Sequence, residues 1–144
     1  MIWEIFDLGS ALLPQSLANE LLQSLPEARR IRRKEFQHKR DLVCHLLREL
    51  LPDVSFVQPQ AGLCVWLSIP YGDSQMLAQS ALRHGLVLSH GNLFSIDESH
   101  GGFLRVPFAL DDETLERGIR ILADAHGEFA RIARDAQEPI AALT

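Results

Sequence analysis

GFLRVPFALDDETLERGIRILADA, residues 102–125, carries the clearest structural signal in this chain. From Phe103 to Ala109 apolar residues recur at every second position, which is the period of a strand with one buried face. Asp111 or Asp112 can then cap a helix, because a short carboxylate accepts a free N–H of the first turn. The apolar positions of that helix recur with helical spacing, at Leu115, Ile119 and Leu122. A strand that leads directly into an amphipathic helix indicates a mixed fold.

A hairpin is predicted upstream of this stretch. Val54 to Val57 and Cys64 to Ile69 have the composition and alternation of strands. The sequence QPQAG at 58–62 contains the proline and glycine that are typical of the loop between two paired strands. The two segments therefore predict an antiparallel pair.

A helix and a third strand are predicted between the hairpin and the opening stretch. Asp73 can cap the helix, and Gly85 can end it because glycine adopts the left-handed conformation without strain. The inward-facing residues of this helix are expected to be Leu77, Ala81 and Leu82. Leu86 to Ser89 then forms a strand, and residues 90–102 form a long loop.

The first third of the chain is predicted to be helical. Pro14 can open a short helix, in which Leu17, Leu21 and Leu25 share one face. A long helix is expected between Pro26 and Pro52, with an apolar stripe formed by Phe36, Val43, Leu46, Leu47 and Leu50. At the other end of the chain the last helix is expected to continue past Gly127, with Phe129 and Ile132 on its apolar stripe.

The order of elements is therefore α–α–β–β–α–β–β–α, which predicts an α+β two-layer sandwich with an about four-stranded, mainly antiparallel sheet covered by helices. We expect an N-terminal arm and linker helix at 1–25, the folded domain at 26–128, and a helix extension and tail at 129–144. The chain of 144 residues with 47% hydrophobic residues can support one core.

Composition also limits the function. The net charge of −5 argues against a general nucleic-acid binder, and no direct nucleic-acid contact is expected. The N-terminus does not resemble a signal peptide, and no apolar run is long enough for a membrane span, so we expect a cytoplasmic protein. Cys44 and Cys64 have no metal-type spacing and are expected to be reduced thiols that act as small apolar residues.

Arg105 is the main candidate binding residue. It lies in the middle of the Phe103–Ala109 strand, on the face opposite Leu104 and Val106. A strand fixes an arginine so that its planar guanidinium can hold a carboxylate with two parallel hydrogen bonds. The alternative is an arginine on a solvated face that pairs with Asp97 or Glu98.

Other polar clusters are weaker candidates. His90, Asp97, Glu98 and His100 share one loop, but their spacing matches no standard metal site, and no metal is expected. The basic run from Arg29 to Arg40 is best interpreted as a solvated helix face; nucleic acid or an acidic neighbouring domain are the alternatives.

The only lysines of the chain are Lys34 and Lys39 in the charged helix. A lysine that forms an imine with a cofactor needs an enclosed pocket and a depressed pKa, and neither position promises them. No catalytic residue and no cofactor-binding residue are therefore assigned to this chain.

Five segments in order resemble the C-terminal part of pyridoxal-phosphate (PLP)-dependent aminotransferases of fold type I, and more narrowly the aminotransferase-like domain of MocR-type regulators in the GntR superfamily. They are LLPQSLANELL, RRIRRKEFQHKRDLVCHLLRELLP, QPQAGLCVWLSIP, ALRHGLVLSHGNLFS and FLRVPFALDDETLERGIRILADA. Together they cover about residues 9 to 126.

The resemblance implies a role for Arg105. In the family the arginine of the strand that corresponds to FLRVPFA binds the substrate α-carboxylate, and this arginine matches Arg105. The family commonly has Pro-Gly before the x-x-Phe of the preceding loop, whereas this chain has His90-Gly91-Asn92-Leu93-Phe94. The resemblance also implies PLP in the intact parent protein, held by a large domain that is missing here, so no PLP is expected on this chain alone.

The sequence thus predicts the effector-sensing C-terminal subdomain of a MocR-type transcriptional regulator that is not catalytic in isolation. Its partners would be the large PLP domain, an N-terminal winged helix-turn-helix domain and an amino-acid effector. One alternative is the small-domain fragment of a true aminotransferase. Another is a stand-alone interaction module that forms a homodimer through residues 1–25.

Overall fold

The structure, a computed structural model, describes residues 12–70 and 73–137. Residues 1–11 of the predicted arm and residues 138–144 of the predicted tail lie outside this description. The chain divides into two compact units, residues 1–35 and residues 36–144. No helix in the described ranges is both long and apolar enough to cross a membrane.

The first unit contains helix α1 (Leu12–Gln23) and the beginning of helix α2 (Leu25–Leu50). Pro14 lies in the first turn of α1, where its missing N–H breaks no helical hydrogen bond. Arg30 pairs with Glu27 at 2.7 Å and Arg32 with Glu35 at 2.8 Å. These ion pairs join exposed side chains on successive turns of one helix, which agrees with the interpretation of the basic run as a solvated helix face.

The second unit contains a sheet of four strands, and it confirms the predicted α+β class with an antiparallel four-stranded sheet. The strands are β1 (Ser55–Phe56), β2 (Cys64–Ser68), β3 (Ser89–His90) and β4 (Phe103–Pro107). Their order across the sheet is β1-β2-β4-β3, and each neighbouring pair is antiparallel. The order of the strands in the sheet therefore differs from their order in the chain at one point, because β4 lies between β2 and β3.

Two capped helices follow the predicted pattern. Helix α3 (Ser74–Arg83) begins after Asp73, whose carboxylate accepts the N–H of Gln75 at 2.7 Å, and Gly85 follows it with a φ of +82°. Helix α4 (Asp112–Gln137) begins after Asp111, which accepts the N–H of Thr114 at 2.8 Å. Asp111 is thus the cap, and the continuation of the helix past Gly127 is confirmed.

One core joins the sheet to α2, α3 and α4. Alternate residues of the two central strands point into it, and Leu104, Val65 and Leu67 are fully buried. The helices contribute buried residues with helical spacing: Val43, Leu46, Leu47, Leu77, Ala81, Leu115, Ile119, Leu122 and Phe129. Each fully buried aliphatic side chain of this kind contributes about 1.5–3 kcal/mol.

Two predicted core positions are wrong. Leu82 is 57% exposed, because it lies too far around α3 from Leu77, and the smaller Ala78 takes the inward position. Ile132 is 51% exposed, so the buried stripe of α4 does not extend to this residue.

Several predicted boundaries also differ. The third strand is Ser89–His90 rather than Leu86 to Ser89. The fourth ends at Pro107 rather than at Ala109, because proline has no N–H to donate to a neighbouring strand. The first strand is limited to Ser55–Phe56, and the second ends at Ser68. The loop at 90–102 is not irregular throughout, because Gly91–Phe94 form a short 3₁₀ helix.

Candidate functional site

Arg105 lies at the centre of β4 with its side chain on the face opposite the core. Its neighbours across the strands are Trp66 of β2 and Ser89 of β3. Because side chains of paired residues lie on the same side of a sheet, Trp66 shares this face with Arg105. Arg105 and Trp66 are both partly buried, whereas Leu104 is fully buried on the other side.

An aromatic cluster surrounds this part of the sheet. Trp66 packs edge-on against Phe94 with ring centroids 5.5 Å apart, and against Phe103 at 6.5 Å. The His100 ring lies 6.1 Å from Trp66 and 5.9 Å from Phe103. We call these four residues, with Arg105 and Cys64, the aromatic face. Such ring pairs contribute about 0.5–1.5 kcal/mol each beyond their buried area, so they tie the 3₁₀ turn to the sheet.

The guanidinium of Arg105 is held by two uncharged groups. Its carbon lies 5.3 Å from the centroid of the Phe94 ring, and its Nε–H donates to Cys64 Sγ at 3.3 Å. Within the described residues no carboxylate lies in ion-pair range of Arg105. The two terminal nitrogens therefore carry donors for which the described part of the chain supplies no acidic partner.

The pairing of Arg105 with Asp97 or Glu98, the alternative expected from the sequence, is wrong for the described structure. The carboxylate of Asp97 accepts the hydroxyl of Ser95 and the backbone N–H of Ser99 instead. These hydrogen bonds, with that of Ser95 the strongest, hold the pKa of Asp97 well below its ordinary value. Asp97 thus stabilises its own turn and leaves Arg105 without an anion.

Gly91 allows this loop to close. A Cβ on Gly91 would overlap the carbonyl oxygen of His100. Only glycine permits such a close approach of two backbone segments. Glu98, in the same loop, adopts a left-handed φ of +57°. The His90-Gly91 variant of the loop therefore still brings Phe94 and His100 onto the aromatic face.

An apolar groove adjoins Arg105. It has a volume of about 470 Å³ and is lined by Ser55, Phe56, Val57, Pro59, Cys64, Trp66, Ser68 and Phe103. Cys64 belongs both to the groove lining and to the contacts of Arg105. The groove and the guanidinium are therefore adjacent parts of one surface.

Two of the four loop residues that suggested a metal, Asp97 and His100, have other partners. Asp97 is bonded to serines, and His100 stacks on the rings of Trp66 and Phe103 while its Nδ1 bonds Ser99. In the described ranges no three His, Cys, Asp or Glu side chains could together hold a metal ion.

Neither lysine of the chain fits an imine with PLP. Lys34 lies on the exposed surface of α2, and Lys39 has its ammonium 5.9 Å from the ring of Phe36 on the same helix. Neither residue lines the groove beside Arg105. A cofactor lysine needs an enclosed pocket that also holds the pyridine ring, which these helix positions do not provide.

Trp66 and Phe94 are the site residues that sequence reasoning missed. The alternation of Cys64 and Trp66 placed both on one face of a strand, which was a usable signal. The pairing of β2 with β4 was not readable from the sequence, because the two strands are separated by α3, β3 and a long loop. The contact of Phe94 with Trp66 depends on that pairing.

The chain is similar in sequence to known aminotransferases. It is 31% identical over 123 residues to the 2-aminoadipate transaminase of Thermus thermophilus, a match that covers 83% of this chain and 31% of that protein. It is 27% identical over 92 residues to aromatic-amino-acid aminotransferase 1 of Thermococcus litoralis, covering 62% and 22% respectively. No protein-family profile matches the chain.

Solved structures show the same relationship. The α-aminoadipate aminotransferase LysN of Thermus thermophilus, complexed with N-(5'-phosphopyridoxyl)-L-leucine, superimposes with a TM-score of 0.79 at 27% identity, covering 88% of this chain and 33% of that chain. The kynurenine aminotransferase of Pyrococcus horikoshii gives a TM-score of 0.66 at 26% identity, over 78% and 28%.

This chain thus spans a third or less of the length of the relatives it matches, at 31% and 22% of the two proteins compared by sequence. None of these relatives is named a transcriptional regulator, so a regulator as parent remains a prediction from the sequence. The homologues and structural neighbours of the chain are PLP-dependent aminotransferases of fold type I, and its α+β structure matches a fragment of that fold.

Proposed function

We propose that this chain is the substrate-carboxylate-binding small domain of a PLP-dependent aminotransferase. The observation that carries the proposal is Arg105, a strand arginine held in place by Phe94 and Cys64 with no acidic partner among the described residues. Similarity to aminotransferases over most of the chain supports the same parent class.

In this proposal Arg105 anchors the substrate and performs no chemistry. The Nε–H is occupied by Cys64, and the terminal nitrogens donate to the two carboxylate oxygens of an amino acid. The ring of Phe94 limits the motion of the guanidinium, so less conformational entropy is lost when the carboxylate binds.

The reaction itself needs groups that this chain does not supply. PLP, if bound by the rest of the parent protein, would supply the electron-sink chemistry that amino-group transfer needs. Lys34 and Lys39 do not lie where a lysine could hold the cofactor. We therefore propose that the chain alone binds no PLP and has no transaminase activity.

The names of the relatives do not agree on a substrate. One is a 2-aminoadipate transaminase, with an acidic substrate side chain, and another is an aromatic-amino-acid aminotransferase. The common element of these substrates is the α-carboxylate, which is the group assigned here to Arg105.

Carboxylate binding by Arg105 can be tested on the full chain by NMR. Sodium propionate should shift the side-chain N–H signals of Arg105 in a saturable way, and sodium chloride at equal ionic strength should not. With the indole N–H signal of the neighbouring Trp66 as the probe, Arg105→Gln and Arg105→Lys should each weaken binding at least about tenfold, since both lose the planar fork.

Arg48→Gln is the matched control, because Arg48 also stacks on a phenylalanine, with its guanidinium carbon 5.3 Å from the ring centroid of Phe56. It should leave propionate binding unchanged. Equal losses in the Arg48 and Arg105 variants would refute a specific carboxylate site.

The second candidate is the effector-sensing subdomain of a MocR-type regulator, in which Arg105 would hold an amino-acid effector. The segments LLPQ at 12–15 and AGLCVWLSIP at 61–70 favour this parent. The coding sequence upstream distinguishes the two: a winged helix-turn-helix domain favours the regulator, and its absence favours the enzyme.

The third candidate is a homodimerising interaction module. Three leucines on one side of α1 favour it, since Leu13, Leu17 and Leu21 are 85%, 61% and 61% exposed. In this case the leucine stripe would form the contact between two copies.

A further inference from the structure

We infer that the groove beside Arg105 receives the side chain of the bound carboxylate, and that the ligand is an amino acid or 2-oxo acid with an uncharged, apolar or aromatic side chain. This inference rests on the proposed role of Arg105 and adds the ligand class to it. It depends on the groove lining, which the proposed carboxylate contact does not use.

The groove and the guanidinium are contiguous. Arg105 leans toward β2 because its Nε–H is bonded to Cys64 Sγ, and Cys64 is a wall of the groove. Phe103, two residues before Arg105 on the same face of β4, is another wall. A ligand whose carboxylate meets Arg105 can therefore place its side chain over Cys64, Trp66 and Phe103.

The lining determines which side chains this groove accepts. Five of its lining residues are apolar or aromatic, and the polar side-chain groups among the described lining residues are the hydroxyls of Ser55 and Ser68, the Cys64 thiol and the indole N–H of Trp66. In the described part of the chain no charged side chain lines it. A carboxylate or ammonium on the ligand side chain would lose water there without gaining an ionic partner among the lining residues.

The size of the groove agrees with such a side chain. Its volume of about 470 Å³ lies within the range of small-molecule pockets. Each methylene that leaves water improves binding roughly fourfold, so an aryl side chain should be preferred over a methyl by at least about tenfold.

The single accessible thiol provides a direct measurement. Cys44 is fully buried, and burial raises the pKa of its thiol, whereas Cys64 is partly exposed in the groove. In a Cys44→Ala background, the rate at which uncharged iodoacetamide alkylates Cys64 reports occupancy of the groove. The probes are propionate, 3-phenylpropionate, glutarate and benzyl alcohol.

We expect 3-phenylpropionate to protect Cys64 at a concentration at least tenfold lower than propionate, and glutarate to be no better than propionate. Benzyl alcohol, which lacks the carboxylate, should protect at least tenfold less well than 3-phenylpropionate. Phe103→Ala should remove most of the preference for the aryl group.

A gain of function provides the second test. Val57 lines the groove and is 87% exposed, so Val57→Lys should not disturb the core. The new cation should improve protection by glutarate at least about fivefold and leave propionate unchanged. Val57→Gln, which adds length without charge, is the control and should not improve glutarate.

The outcomes separate this inference from the proposed function. If all carboxylates protect equally, Arg105→Gln abolishes that protection and Val57→Lys changes nothing, the carboxylate site stands and the groove inference is overturned. If no carboxylate protects Cys64 or shifts the Arg105 signals, the proposed function fails first. Selective, Arg105-dependent protection by 3-phenylpropionate supports both.

Discussion

The two faces of the sheet are built from the same strands and differ in composition and burial. On the core face Leu104 and Val65 are completely buried against three helices. On the aromatic face their immediate neighbours Arg105 and Trp66 are only partly buried, and the contacts there are ring stacking, a cation–π contact and one weak hydrogen bond to sulfur. One strand thus supplies stability through one face and a binding surface through the other.

Neighbouring residues of β4 should therefore differ strongly in their effect on stability. Leu104→Ala leaves a cavity in a closely packed core and should lower the free energy of unfolding by about 2–5 kcal/mol. Phe103→Ala removes a larger side chain, but from the partly buried aromatic face, and should cost only about 1–2 kcal/mol. Urea denaturation measures both. A larger loss for Phe103→Ala would mean that the aromatic face is part of the core.

Gly91 tests how the loop of the aromatic face is held. Gly91→Ala places a methyl group against the backbone of His100, so either Gly91–Phe94 or His100 must move, at a cost of about 1–3 kcal/mol. NMR signals of Trp66, Phe94 and His100 should shift, while those of Leu104 should not.

Gly127→Ala is the matched control, since the helix leaves open space at that position. It should stabilise the chain by roughly 0.5–1 kcal/mol through helix propensity. An unchanged aromatic face in Gly91→Ala would refute the role of the close approach.

The smallest expected effect is a pH dependence on the core side. His126 is 6% exposed and its Nε2 has no hydrogen-bond partner among the described residues. Burial lowers the pKa of His126 from 6.5, partly opposed by the charge of Asp53. The unfolded chain therefore binds the proton more readily, and stability should fall as the pH drops below about 6.5.

Thermal unfolding between about pH 7 and about pH 5 measures this slope. His126→Leu should flatten it, because leucine fills the same buried position without a titratable group. An equal slope in the wild-type chain and His126→Leu would show that another group is responsible.

Local signals predicted much of this fold. Asp73 and Gly85 mark the ends of α3 because capping and the left-handed conformation depend on residue type and immediate neighbours. The alternation in β4 correctly placed Arg105 opposite Leu104. Leu82 was misplaced because hydrophobicity alone does not tell which side of a short helix faces the sheet.

The candidate site was predictable only in part. Arg105 could be named as a candidate from its strand position, but its contacts could not, and the alternative, a pairing with Asp97 or Glu98, is wrong for the described residues. The carboxylate of Asp97 accepts hydrogen bonds from Ser95 and Ser99, which lie two residues away on either side. Residue spacing alone does not tell whether a carboxylate will form such local hydrogen bonds or pair with a distant charge.

The order of the secondary-structure elements, their caps and the inward side of each strand follow from the chain itself, since they depend on side-chain period and on residue-specific backbone preferences. Three features arise only when distant segments pack together. They are the position of β4 between β2 and β3, the stacking of Phe94 on Trp66, and the groove beside Cys64. They depend on pairing over long sequence separations, where the free energy of the assembled sheet and not any local preference selects the partner.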